Sequence, residues 1–192
     1  MRLIRRATTL LMASTSVQSS TAPPAYDVVV YGASGFTGRL AVEYLTDRYA
    51  TSGLKWAIAG RSRERLEALK AAVPIIIADA TDAASVDAMV AQTKVLLNYA
   101  GSPYITKALP VVEACARHGT HYVDVTGEVA LHRASLSKYD AKAKETGALI
   151  VHSCGYDSIP SDLGYLLASD AYQERYNSQP ERARLLTRGF EG

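Results

Sequence analysis

Several things are scarce or missing in this chain, and each removes a class of function. It has two cysteines, Cys115 and Cys154, far apart and in no Cys-x-x-Cys pair. That excludes a thiolate zinc site, leaves no disulfide framework, and predicts a reducing, intracellular setting. Charge of one sign is missing too: 21 Lys and Arg face 19 Asp and Glu, a net charge of +2. So weak a balance gives no field to draw the chain to nucleic acid or an acidic membrane surface. No apolar run approaches the length of a bilayer-spanning helix, so no transmembrane segment is expected. The loop Gly-x-x-x-x-Gly-Lys-Ser/Thr of phosphate-hydrolysing NTPases is absent. No tyrosine has a lysine four residues later; Tyr104 and Tyr139 have one three residues later. That counts against an extended short-chain reductase or epimerase, where such a lysine lowers the tyrosine pKa for proton transfer. The four histidines, His118, His121, His132 and His152, fall at no metal-ligating spacing, so no metal is expected and all four are read as structural.

What is present is an ordinary globular composition, 48% hydrophobic and 21% charged, in 192 residues. That is enough for one domain with a full core and too little for two large ones. Residues 1–25 differ from the rest. Arg2, Arg5 and Arg6 are basic, no acid precedes Asp27, Ser and Thr are dense, and Pro23-Pro24 closes the stretch. This leader cannot build a core face; it reads as a mitochondrial presequence or as an untargeted disordered segment. Residues 26–168 then alternate short apolar runs with helical patterns. The predicted strands are Val28–Tyr31, Trp56–Ala59, Ile75–Ala78, Val95–Asn98, Tyr122–Val125 and Leu149–Ser153. They are continuously apolar, as strands buried on both faces of a parallel sheet must be. The predicted helices are Gly38–Tyr49, Arg63–Ala72, Ala83–Gln92, Ile105–His118 and Leu131–Lys144, with Gly119 and Gly147 placed to end two of them. The fold class is therefore α/β: a doubly wound, mostly parallel Rossmann-type sheet with helices on both faces and right-handed crossovers. A last helix, from Asp162 to about Glu174, leads into residues 169–192, a polar tail where a second domain would begin.

The strongest chemical signal is Gly32-Ala33-Ser34-Gly35-Phe36-Thr37-Gly38, which directly follows the first strand and opens the first helix. In that context Gly32 permits the tight turn, Gly35 lets backbone approach a pyrophosphate, and Gly38 lets helix and strand pack closely. The amides and positive end of the helix would face the phosphates, with Ser34 and Thr37 adding hydroxyls. A dinucleotide is the expected ligand. The second strand ends in Gly60-Arg61-Ser62-Arg63 and lacks the carboxylate that bonds the ribose 2′-hydroxyl of NAD. A guanidinium at Arg61, helped by Ser62, suits the 2′-phosphate, so NADP is expected over NAD. Asp79, at the end of the third strand, either meets the adenine or serves a turn. Asn98, Ala100 and Gly101, after the fourth, should run beside the ribose or nicotinamide.

Beyond these, Asp124, Thr126 and Glu128 end a strand and could face the crevice, Glu128 as a proton carrier; alternatively Thr126 caps the next helix with Glu128 in its first turn. Asp157 and Ser158 could approach the nicotinamide, Ser161 or Asp162 should cap the last helix, and Cys154 reads as a small buried residue.

Val30-Tyr-Gly-Ala-Ser-Gly-Phe-Thr-Gly, Ala59-Gly-Arg-Ser, Asn98-Tyr-Ala-Gly, His121-Tyr-Val-Asp-Val-Thr-Gly-Glu and Cys154-Gly-Tyr-Asp-Ser-Ile-Pro-Ser-Asp-Leu-Gly closely resemble the saccharopine-dehydrogenase-like oxidoreductases, the group to which trans-acting enoyl reductases belong. The resemblance runs from about Tyr26 to about Leu167 and is most specific in the last two motifs. It implies an NADP-binding Rossmann domain, a second α/β domain for substrate and for homodimer formation, and links to lipid substrates, glycolipid biosynthesis, membranes and lipid droplets. It does not imply saccharopine dehydrogenase activity for this branch. Without the second domain the chain reads as an N-terminal portion or shortened form. Two functions stay open: the cofactor half of an NADP-dependent oxidoreductase, or a non-enzymatic NADP-binding sensor or lipid-associated scaffold. Catalytic residues are not assigned.

Overall fold

The computed structural model describes residues 23–186; nearly all of the leader and the last part of the tail lie outside it. Six parallel strands form one sheet in the order β3-β2-β1-β4-β5-β6. They are β1 (Tyr26–Tyr31), β2 (Trp56–Gly60), β3 (Ile75–Ile77), β4 (Thr93–Asn98), β5 (His121–Asp124) and β6 (Ile150–Val151). The chain winds outward from β1 to β3, returns to β4 on the other side of β1, and continues to β6. That arrangement makes the β1/β4 gap the switch point of a doubly wound sheet.

The central strand shows why the sheet is buried on both sides. Val29 and Val30 are both fully buried, yet they point to opposite faces and belong to different core clusters. On one face Val29, Ala57 and Leu96 meet Val86, Met89 and Val90 of α3 (Ala83–Val90) and Val111, Val112 and Cys115 of α5 (Leu109–His118). On the other, Val30 and Ile58 meet Val42 and Leu45 of α1 (Phe36–Tyr49) and Leu66 of α2 (Arg63–Glu67). Each such aliphatic side chain contributes about 1.5–3 kcal/mol on burial, so both layers are needed to hold the sheet.

Most predicted boundaries shift by one or two residues, the strand expected over Leu149–Ser153 shrinking to Ile150–Val151, and three helices change more. The helix expected over Arg63–Ala72 ends at Glu67, and Lys70 turns left-handed at φ 52° to bring the chain back toward β3. Leu69 and Val73 still pack on the core, so their spacing reported burial rather than helix. The helix expected over Ile105–His118 is two, α4 (Tyr104–Lys107) and α5, joined at Ala108. Pro110 explains the break: it has no N–H to give the carbonyl one turn back. The last helix, α7 (Ile159–Tyr176), begins before Asp162; Pro160 sits in its first turn and Ser158, not Ser161 or Asp162, is the residue before it. Gly119 and Gly147 do end α5 and α6 (Val129–Thr146), at φ 75° and 81°.

Candidate functional site: a cleft at the carboxyl ends of the strands

Parallel strands put all their carboxyl ends on one edge, and there the predicted residues converge. Gly32, at φ 82°, has no room for a side chain: a Cβ would lie 2.6 Å from the Ala100 nitrogen. At Gly38 a Cβ would lie 2.2 Å from the Gly32 carbonyl oxygen, so glycine is needed for α1 to pack against the turn. Gly35 is different. Its backbone is extended, at φ −76° and ψ 169°, and its Cβ would meet only the Gly32 carbonyl oxygen at 3.2 Å. The fold tolerates a side chain there; the space in front of it is what glycine keeps open.

The turn spends some of the amides expected to face a ligand. The Gly32 and Ala33 amides donate to the Ala59 carbonyl (2.9 and 3.2 Å), and Gly35 donates to Gly32 (3.0 Å). Ala33 is fully buried in the core, so it supports the turn from beneath and does not line the cleft. What remains is the start of α1. Its first-turn amides, from Phe36 onward, have no carbonyl a turn earlier to bond, no side chain caps them, and no acid stands in that turn. The Phe36 ring is 84% exposed and the Thr37 side chain is also exposed. Neither residue lines the cleft; Gly35, the residue just before α1, does. A bare helix start beside a glycine turn is suited to an anion.

The cleft itself has a volume of about 260 Å³ and is lined by Gly32, Ser34, Gly35, Arg61, Asp79, Ala100 and Gly101, all anticipated. It also takes in Gly60, read beside Arg61 at the end of the second strand, and Tyr31, Ala80, Thr81, Tyr99 and Lys107, which sequence reasoning missed. Tyr31 ends β1 and Tyr99 directly follows β4, positions that could have flagged them; Lys107 lies on α4 and carried no signal. A larger hollow of about 550 Å³ lies around Tyr26, Trp56 and Pro74, away from the strand ends that gather these groups. Ser62 is outside the cleft, because its hydroxyl caps α2 by accepting from the Arg65 amide at 3.3 Å. Asp79 accepts from the amide and hydroxyl of Thr81 at 2.9 and 2.8 Å. Those two bonds hold its carboxyl below the ordinary range, with Arg61 adding a smaller pull. Asp79 thus forms a turn and lines the cleft together. Burial, and the Asp79 charge, push the Tyr31 hydroxyl up to about 12.

Asn98 is buried and lies behind the cleft instead of in it. Its Oδ1 accepts from the Ala100 amide at 2.8 Å, which shapes the wall, and its Nδ2 donates to the Tyr122 hydroxyl at 2.8 Å. Tyr122 donates onward to Asp124 Oδ2 at 2.9 Å. Asp124 also takes the Thr126 and Ser153 amides and meets His152 Nδ1 at 2.7 Å. Burial raises its carboxyl, but the bond and charge of His152, with the two amides, outweigh that and leave it below the usual value. The His152 ring stacks on His132 with centroids 5.0 Å apart, and its Nε2 is buried with no partner among the described residues. Asp124 and Thr126 therefore organise the loops after β5 and β6 and do not face the cleft.

Glu128 has neither anticipated role. Its carboxylate accepts from the Tyr104 and Ile105 amides at 2.8 and 3.0 Å, so it caps α4 from a distance, and it stands just before α6. Thr126 accepts from the Glu128 amide at 3.0 Å. Asp157 and Ser158 do not line the cleft either, and Cys154 is partly exposed rather than buried, because it sits on the loop after β6.

Fold and cleft together define a dinucleotide-binding α/β domain. Comparison with known proteins narrows this: residues 28–151 match the family described as the saccharopine dehydrogenase NADP binding domain, and the chain belongs to that family. The trans-acting enoyl reductases of Mycobacterium bovis and Mycobacterium leprae are each 43% identical over 145 residues, covering 72% of this chain and 34% of theirs. A Mycobacterium tuberculosis relative is 40% identical over 177 residues, covering 88% of this chain and 42% of its own. The chain thus spans well under half the length of the curated relatives it matches. Among solved structures, apo saccharopine dehydrogenase (L-Glu forming) of Saccharomyces cerevisiae superposes with a TM-score of 0.61 at 21% identity, covering 79% of this chain and 32% of that one. The triphenylmethane reductase of a Citrobacter species gives 0.51 at 19%, covering 66% and 48%. At such identities these two show the fold alone. Among the described residues no helix is long and apolar enough to cross a membrane.

Proposed function

We propose that this chain binds NADP(H) and is the cofactor-binding part of an oxidoreductase that reduces an enoyl group on a lipid-like acyl substrate. The observation that carries the reading is the pairing of Gly35, just before the uncapped start of α1, with Arg61 in one cleft, where β2 ends in glycine instead of a carboxylate. The residues fit the group. Gly32, Ser34, Gly35 and the first turn of α1 would hold the pyrophosphate; Arg61 would take the 2′-phosphate; Asp79 and Thr81 would border the adenine. Tyr99, Ala100 and Gly101 would form the wall toward the nicotinamide, set in place by Asn98. When bound, the reduced cofactor supplies the hydride. The protein's part is to orient it, and these residues do so from a rigid sheet edge.

The double bond as target comes from the mycobacterial relatives, which are named for enoyl reduction, and the lipid character of the substrate from the family resemblance. The direct test is calorimetric titration of the chain with NADPH and NADH, and of Arg61→Ala with both. Loss of a bidentate contact to a charged phosphate is worth about 1.5–3 kcal/mol, or roughly tenfold to a hundredfold. NADPH should bind more tightly by that factor and lose the advantage in the variant. Equal affinities in the parent chain would overturn the NADP assignment.

A further inference from the structure

We infer that Lys107 is a second cofactor-binding cation, one that grips the pyrophosphate from the β4 side of the cleft. This rests on the NADP(H) reading above and adds to it a residue the sequence did not single out.

Two cations and one carboxylate line the cleft: Arg61, Lys107 and Asp79. Asp79 is ionised at neutral pH, since its carboxyl is held below the ordinary range by the Thr81 amide and hydroxyl. Arg61 and Asp79 therefore cancel, and a ligand bearing three phosphate groups would meet no net side-chain charge without Lys107. The lysine is free to respond. Its Nζ donates to the Ser102 carbonyl at 3.1 Å, and among the described residues it makes no ion pair.

The sheet order decides which phosphate it meets. Neighbouring strands run β2-β1-β4. Arg61 follows β2, the glycine turn follows β1, and α4 with Lys107 follows β4, so the two cations flank the turn from opposite sides. The wall between Lys107 and the turn is thin. A Cβ on Gly101 would lie 2.7 Å from Lys107 Cδ, and one on Gly32 would lie 2.6 Å from the Ala100 nitrogen. The lysine stem thus runs over Gly101, next to Ala100, which itself abuts Gly32. Gly101 sits at φ 77°, a conformation that keeps the position free of a side chain and the stem close. A 2′-phosphate held by Arg61 lies across the turn from this group. A pyrophosphate drawn to the turn and the start of α1 would lie on the lysine's side of that group, where Nζ could exchange the Ser102 carbonyl for a phosphate oxygen.

The test is titration of the full chain with NADPH and NADH in three variants, Lys107→Met, Lys107→Arg and Arg61→Ala, with circular dichroism to show that each is folded. Lys107→Met keeps the stem over Gly101 and removes only the charge. It should weaken both nucleotides by the same factor, about tenfold at low salt, and the loss should shrink as salt screens the contact. Lys107→Arg should restore most of the affinity, whereas Arg61→Ala should weaken NADPH alone. Unchanged affinity for both nucleotides in folded Lys107→Met overturns the inference and leaves the NADP(H) reading standing. A loss confined to NADPH overturns the pyrophosphate assignment in favour of the 2′-phosphate. A parent chain that binds neither nucleotide refutes the functional reading, and the role of the lysine with it.

Discussion

The three glycines of the turn offer a test that separates fold from ligand. Consider Gly35→Val beside Gly38→Ala. At Gly35 the backbone is extended, which a β-branched residue adopts readily, and the added Cβ meets one carbonyl oxygen at 3.2 Å. That neighbour need yield only a few tenths of an ångström. Replacing glycine just before α1 with a poor capping residue adds a small loss, so the total should be about 1 kcal/mol. In a domain of this size that lowers the melting temperature by about 2–4 °C. At Gly38 the smallest side chain meets Gly32 oxygen at 2.2 Å and Ala33 Cα at 2.8 Å. The helix must lift off the strand, an overpacking cost of about 1–3 kcal/mol or more. Binding should follow the opposite order of directness. The valine stands where the pyrophosphate must come, and losing two amide bonds to a charged group costs about 3 kcal/mol or more, at least a hundredfold in affinity. Thermal unfolding and NADPH titration on the same samples read both effects. A Gly35→Val protein that melts as expected and binds NADPH within threefold of the parent would falsify the claim that glycine is kept here for the ligand.

Other perturbations probe the layer behind the cleft. Tyr122→Phe strands Asn98 Nδ2 in the core and removes one of the two bonds to Asp124 Oδ2, which keeps His152, so stability should fall by about 1–3 kcal/mol. NADPH affinity should fall as well, because Asn98 sets the Ala100 amide; denaturant titration with unchanged stability argues against the network. Asp124 has a folded pKa below its reference value of 3.8. Its contribution is therefore present above that pH and is lost as pH falls through the lower folded value. Asp124→Asn should be less stable than the parent at pH 7, and the gap should narrow below pH 4 in urea midpoints; a gap that widens in acid contradicts this. The thiols should differ in rate. Cys115 is fully buried, which pushes its thiol far up, whereas Cys154 is partly exposed and raised less, by burial and by Asp124. A thiol reagent should modify Cys154 slowly and Cys115 only on unfolding; two equal rates would show that the core around Cys115 opens freely.

The sequence by itself determined the sheet, its parallel sense and its glycine turn. These rest on local facts: continuous apolar runs such as Val28-Val29-Val30 can only be strands buried twice, and Gly32, Gly35 and Gly38 stand at a strand end before a helix. Arg61 was equally legible, because the end of β2 is found by counting. Where a helix should stop was read less well. Leu66, Leu69 and Val73 are spaced as a helix face and pack on one core, Leu66 buried and the other two partly so, but the chain had to turn at Lys70 to reach β3. The roles of polar residues were decided by tertiary structure alone. Glu128 reads as a proton carrier or a first-turn acid until α4 is seen to place two amides on its carboxylate. Asn98 reads as a cofactor contact until Tyr122, from the next strand, is found to hold it behind the wall. Lys107 reads as nothing until α4 carries it over Gly101. Backbone periodicity and turn chemistry act over a few residues and are written in order along the chain. A hydrogen-bond partner is whichever group the sheet order brings within 3 Å, and that is a property of the assembled fold.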